Sequence, residues 1–315
     1  MRNHDKRAPT GRVFFVAGRV IITKIFPILP KVFYKNYNMV MKRNEITRKM
    51  LGAFVAIALV LSACDPDNGG ENNGGEGGNN QGDPSTANVI PNAVKDIDGN
   101  VYDAVKIGNQ VWMASNLRTT RYADGMSIPL GETTSYTDPY RYAPGTSQSN
   151  NENMVNVPAY GYLYNWSAVM HGAETSDANP SGVQGICPNG WHVPSDAEWT
   201  QLTEYMKTRP EYTYDGYSNN IAKALAATWG WESSSAPEDV GHEQSTTNNA
   251  TGFSALPAGI YRGWYDSFGY NAHFLSSTES ASNGAWIHGL ASYKGSVDWF
   301  GGSKNFAFSV RCLRD

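Results

Sequence analysis

Cysteine is scarce: the 315-residue chain holds three, at positions 64, 187 and 312. That count excludes a dense disulfide framework and a cysteine-rich metal ribbon. Positive charge is scarce too, but only in part of the chain. Twelve of the 25 Lys and Arg residues lie in residues 1–64, with only Asp5 and Glu45 against them. Residues 65–315 carry 13 basic against 27 acidic side chains, a net of −14. A nucleic-acid partner needs Lys/Arg clusters for its phosphates, so none is expected. No uninterrupted run of ~20 apolar residues occurs, so no helical membrane span is expected. The six histidines (His4, His171, His192, His242, His273 and His288) include no pair spaced for a zinc helix or ribbon. No phosphate loop, dinucleotide fingerprint or Gly-x-Ser-x-Gly element is present. No metal or other cofactor is expected.

What is present begins with a leader. Lys42, Arg43, Arg48 and Lys49 precede residues 50–63, an uncharged apolar stretch that is too short for a span but fits a secretory core. It ends in Leu61-Ser62-Ala63-Cys64, which resembles a bacterial lipobox, with Cys64 as the acylated residue. Residues 41–63 therefore read as a lipoprotein signal peptide. Residues 1–40, whose apolar patches are broken by Arg19, Lys24, Pro27 and Pro30, read as a misassigned start or an unstructured extension. From Cys64 to residue 90 the chain is rich in Gly and Asn and lacks core-forming side chains before Ala87. This is the composition of a flexible tether reaching roughly 25–30 Å. Acids directly after Cys64 resemble the surface-export signal of Bacteroidetes lipoproteins. The expectation is an outer-membrane lipoprotein exposed at the cell surface, its only membrane contact the N-terminal lipid.

Residues 91–315 read as one domain. Val101 to Ile107 alternates in the manner of a strand, and Gly108-Asn109 turns into Gln110-Val111-Trp112-Met113. Asp96, Asp98 and Asn100 resemble the start of a calcium loop, but no Glu follows at the required spacing, so they are read as a turn. Ser195 and Glu198 have the spacing of a capping box, and Trp199, Leu202 and Met206 follow on one helical face. That helix is expected to end near Thr208, before Pro210. A second is expected over residues 220–228. Strand pieces follow at 253–259, 274–279 and 306–312. Strands, long loops, two helices and then strands make an α+β domain.

Several segments are familiar together: Gln110-Val111-Trp112-Met113-Ala114-Ser115-Asn116-Leu117-Arg118, Gly161-Tyr162-Leu163-Tyr164-Asn165-Trp166, residues 185–199, residues 252–259, Ser276-Ser277-Thr278-Glu279 and Phe308-Ser309-Val310-Arg311-Cys312. In this order they resemble the Fibrobacter succinogenes major paralogous domain family, over roughly 95–315. Phe274 departs from it, standing near the place where the family usually has Trp. The resemblance implies a fold related to C-type lectins and to formylglycine-generating enzymes, and no particular activity. The lectin calcium–sugar signatures are missing.

Cys187 and Cys312 form an isolated pair in an exported domain, which points to a disulfide. The alternative is a reactive redox or copper pair of the formylglycine-generating type. His192 is expected to pack beside Trp191. Residues 260–270 place five aromatic rings among Gly263 and Gly269, which favour exposed turns. Tyr261, Arg262, Trp264, Tyr265 and Tyr270 are the candidate ligand-binding residues, the alternative being that these rings fill the core of a helix-poor domain; Trp286 and Trp299 share that ambiguity and lean towards the core. The leading reading is a non-enzymatic binding or adhesion module with a glycan or surface protein as partner. The alternatives are a formylglycine-generating-type modifying enzyme and a purely structural surface protein.

Overall fold

The computed structural model describes residues 88–315. Residues 1–63, Cys64 and nearly all of the expected tether lie outside the described residues, and so do the readings made of them. Among the described residues, no helix is long and apolar enough to cross a membrane.

The domain is mixed α+β, built on three antiparallel sheets with a few short helices. The first sheet opens with β1 (Val89–Lys95), so the final tether positions already pair, Val89 opposite Val105. β2 (Val101–Ile107) buries Tyr102, Ala104, Val105 and Ile107 and turns Val101, Asp103 and Lys106 outward, the alternation of a half-buried strand. Between them, the Asp96 carboxylate accepts from the backbone N–H of Asp98 and Asn100 and from the Tyr102 hydroxyl, at 3.0, 2.9 and 2.6 Å. The expected turn forms, with Asp96 capping its backbone, while the Asp98 carboxylate accepts from Thr119, Thr120 and Arg121.

β3 (Gln110–Met113) follows, and next to it lies β13 (Leu313–Arg314), then β6 (Trp191–His192). Leu313 pairs with Trp112 on one side and His192 on the other. The end of the chain thus fills the gap between two strands of the sheet that β1 begins. A second sheet holds β9 (Asn271–Ala281), β10 (Gly284–Ala291) and β11 (Asp298–Ser303), with β10 in the middle. The third has the order β4 (Arg141–Tyr142), β5 (Leu163–Asn165), β12 (Ala307–Phe308), β7 (Ile260–Tyr261) and β8 (Tyr265–Asp266).

The helix Asp196–Lys207 carries the expected capping box. Ser195 Oγ accepts from the Glu198 N–H, and Glu198 Oε2 accepts from the Ser195 N–H at 3.0 Å. Its inner face buries Trp199, Leu202 and Met206 against Trp112, Phe253 and Phe274. Each such side chain contributes roughly 2 kcal/mol by leaving water. The expected second helix shrinks to the single turn Ala222–Leu225, because a long-range bridge takes over the backbone that would extend it. Ala255 N–H donates to Leu225 C=O, and Ala227 N–H donates to Ala255 C=O, both at 2.8 Å. The expected strand at 253–259 is this bridge and little more. The count of two helices is also corrected. Single turns at Asn150–Asn153, Val157–Tyr160, Trp166–Met170 and Gln244–Thr247 lack the length for a periodic signal.

Cys187 and Cys312 are joined by a disulfide and both are fully buried. Beside it, Arg311 is completely enclosed. Its guanidinium donates to Asn116 Oδ1, Met113 O and Ser254 O, each at 2.8 Å, and to Phe253 O, with the Phe253 ring stacked against it. Burial pulls its pKa down to about 9, which leaves it cationic at neutral pH. Four neutral acceptors replace a carboxylate partner and tie together three stretches distant in sequence.

Candidate functional site

β7 and β8 form a hairpin whose turn is Arg262-Gly263-Trp264. Gly263 takes φ +96°, a conformation that side chains disfavour, and Arg262 N–H donates to Trp264 C=O at 3.0 Å. Tyr261 and Tyr265 lie opposite each other across the hairpin and so point to the same side. That side is the interior. Tyr261 stacks on Tyr142 with ring centroids 4.0 Å apart, and Tyr265 packs on Tyr261 at 4.9 Å. Their hydroxyls donate to Glu132 C=O and to Asn150 Oδ1. Burial pushes both phenols above the usual tyrosine range. Tyr261 and Tyr265 are 5% and 7% exposed, so their rings pack in the core. They form the buried base of the hairpin.

The other three candidates reach solvent. Trp264 is 52% exposed and Tyr270 is 48% exposed. The Arg262 guanidinium lies 4.7 Å from the Trp264 ring centroid and pairs with Asp266, so the Trp264 ring is braced from one side. Tyr270, together with the nearly buried Tyr265, borders a cleft of about 470 Å³ lined also by Thr146, Asp266, Phe268, Asn271 and Tyr293. Asn271 Oδ1 is buried at this cleft without a hydrogen-bond partner. Trp264 stands outside the cleft, so the five candidates separate into an exposed hairpin tip, a cleft edge and a buried base.

Trp286 and Trp299 are also corrected. They stack at 4.2 Å, and Trp299 is 55% exposed on the outer strand β11 rather than in the core. The indole N–H of Trp299 donates to Asp196 Oδ1 at 2.7 Å, and His288 Nε2 meets the same oxygen at 2.8 Å. Burial opposes the Asp196 charge, yet these two donors hold the carboxyl below its usual range. Asp196 was legible as a helix-start acid; its partners, 92 and 103 residues away, left no local signal.

His192 is more than a neighbour of Trp191. It is buried on β6, with Nε2 2.9 Å from Glu198 Oε1 and Nδ1 2.7 Å from Asp315 Oδ1. Burial works against its charge, but hydrogen bonds to the two carboxylates raise its pKa overall. Both ring nitrogens face acceptors, so the cation fits this position. Its Glu198 is the same residue that closes the capping box, and its Asp315 ends the chain, which marks a structural knot rather than an open site. Among the described residues, no group of three or more His, Cys, Asp and Glu side chains is placed to hold a metal ion.

Comparison with curated proteins and with solved structures gave no match. The family model described as the Fibrobacter succinogenes major domain matches residues 105–314, a span running from within β2 to the last strand, and the chain belongs to that family.

Proposed function

We propose that this domain is a non-enzymatic binding module of C-type-lectin-like fold, held at the outer surface of the cell by lipid on Cys64. Its ligand is a glycan or protein of a neighbouring surface, met by Arg262, Trp264 and Tyr270. The observation that carries this reading is the presentation of Trp264: a half-exposed indole on a tight hairpin whose base is fixed by buried tyrosines. A ring so held loses little freedom on binding, and such aromatic anchors dominate interface energies. The first and last strands lie in one sheet, which agrees with a lectin-like frame. The formylglycine-generating alternative calls for a reactive cysteine pair, and Cys187 and Cys312 are bonded to each other and buried.

The test is Trp264→Ala in the full chain, followed by thermal melting and by retention on whole cells and insoluble polysaccharides. Lost retention with a melting temperature changed by less than about 2 °C supports the reading. Unchanged retention, or a fall of several degrees, rejects it and leaves the hairpin as ordinary packing.

A further inference from the structure

A second surface has the make-up of a built ligand site. Thr200, Thr203, Glu204 and Lys207 follow one another at helical spacing along the outer face of the helix Asp196–Lys207. Facing them are Asn219, Ile221, Ser296, Val297 and Trp299, and together they enclose a cleft of about 370 Å³. This is near the small end of ligand-binding clefts, which run from roughly 300 to 1,000 Å³.

Trp299 is held in place before any ligand arrives. One face lies against Trp286, with an interplanar angle of 17°, and its N–H is tied to Asp196. Asp196 is fixed in turn by His288, whose ring stacks on the core residue Trp199 at 5.2 Å. The chain of contacts runs from the hydrophobic core to a surface indole that remains more than half exposed. Ordinary burial does not account for that arrangement, because a ring anchored for packing alone would be covered. A pre-fixed ring avoids the ordering cost that a free surface Trp meets on binding.

The rest of the lining states which chemistry fits. The hydroxyls of Thr200, Thr203 and Ser296 and the amide of Asn219 offer neutral donors and acceptors. Glu204 and Lys207 neutralise each other at 2.8 Å, so the cleft favours neither an anion nor a cation. A flat apolar platform beside uncharged hydroxyl and amide groups matches a pyranose ring, which has a C–H face to stack and hydroxyls around its rim. We infer that the cleft between Trp299 and the outer face of this helix binds a neutral hexose or pentose unit of a glycan. The inference rests on the binding reading of the domain, but on a different surface: no residue lines both clefts.

The test uses the full chain labelled with 15N at tryptophan, in a detergent without a sugar headgroup. The probes are the methyl glycosides of glucose, galactose, mannose, xylose and N-acetylglucosamine. At least one should shift the Trp299 indole resonance saturably, leaving those of the core residues Trp112 and Trp199 in place. Trp299→Ala should abolish the response seen at Trp286, and Thr203→Val, which leaves the platform intact, should weaken binding about tenfold. Trp264→Ala should not change the titration. No saturable shift of Trp299 with any of the five, or full binding by both variants, overturns the inference. Saccharide binding here with normal retention of Trp264→Ala on cells would sink only the hairpin proposal, and the reverse pattern only this one.

Discussion

Breaking the Cys187–Cys312 bridge tests the architecture most directly. The bond closes a loop with a sequence separation of 125 residues. In the chain-entropy account, a loop of that size restricts the unfolded state by about 5 kcal/mol at 25 °C. Whole domains are stable by only about 5–15 kcal/mol, so one bond supplies a large share. Its position adds a structural consequence. Cys312 directly precedes β13, a two-residue strand wedged between β3 and β6, and its carbonyl accepts the Met113 N–H at 3.0 Å. Once the covalent tie is gone, that strand is left to its ladder bonds, to Arg311 and to the contact of Asp315 with His192, and its departure would divide the first sheet.

Three forms of the full chain separate the causes: oxidised, reduced, and Cys187→Ala with Cys312→Ala. Guanidinium unfolding should place the reduced form about 4–5 kcal/mol below the oxidised one, with a steeper denaturant dependence because its unfolded chain exposes more surface. The alanine pair should lose about 1 kcal/mol more, since it also removes two buried sulfurs. Hydrogen exchange should quicken first at Trp112, Trp191 and Leu313, the residues flanking or within β13. Peptide mapping without reduction should recover residues 187 and 312 in one fragment. Oxidised and reduced forms within about 1 kcal/mol of each other would refute the loop-closure argument even with the bond present.

Two further outcomes are expected. Cys64→Ala should abolish incorporation of radiolabelled palmitate and leave the leader uncleaved; undiminished labelling would end the lipoprotein reading. His192 has a folded pKa raised above its unfolded value of about 6.5, so its contribution to stability is fully present below that pH and is lost as pH rises through the folded value. The stability gap between the unaltered chain and His192→Asn, measured by urea unfolding at several pH values, should therefore narrow as the solution is made alkaline from pH ~6.5. A gap that widens contradicts the ion-pair geometry.

What was legible in the sequence follows from how locally each feature is determined. The helix Asp196–Lys207 starts where Ser195 and Glu198 place it and stops at Thr208, because capping and periodicity act within a few residues. β2 and β3 were legible for the same reason. The third sheet was not: its strands have two or three residues, too few for alternation to register, and they pair across as many as 144 positions, Phe308 opposite Tyr164. The exposure of Trp264 and Tyr270 was legible from the glycines beside them. For Tyr261 and Tyr265 both readings stayed open because a two-residue strand does not say which of its faces is inward; only their pairing, and Tyr142 beneath it, decides that. Trp299 was misjudged because its exposure depends on lying in an outer strand and on a hydrogen bond to Asp196, 103 residues away.

The residues that make the chain recognisable are different from the aromatic rings it exposes. Asn116, Gly161, Asn165, Glu198 and Arg311 all stand in the segments that carry the family resemblance, and all serve the interior. Asn116 accepts from Arg311, and Asn165 caps the turn Trp166–Met170. Glu198 holds both the start of its helix and His192. Gly161, at φ +73°, leaves no room for a side chain, since a Cβ there would come within 2.6 Å of Leu117 O. Each solves a geometric problem that few other residue types solve, which is why such positions are readable as motifs. Trp264, Tyr270 and Trp299 lie outside those segments, at a hairpin tip, a cleft edge and an outer strand. Replacing any of the three leaves every one of those interior bonds in place. In physical terms, the frame can therefore stay fixed while the exposed rings it presents are free to change.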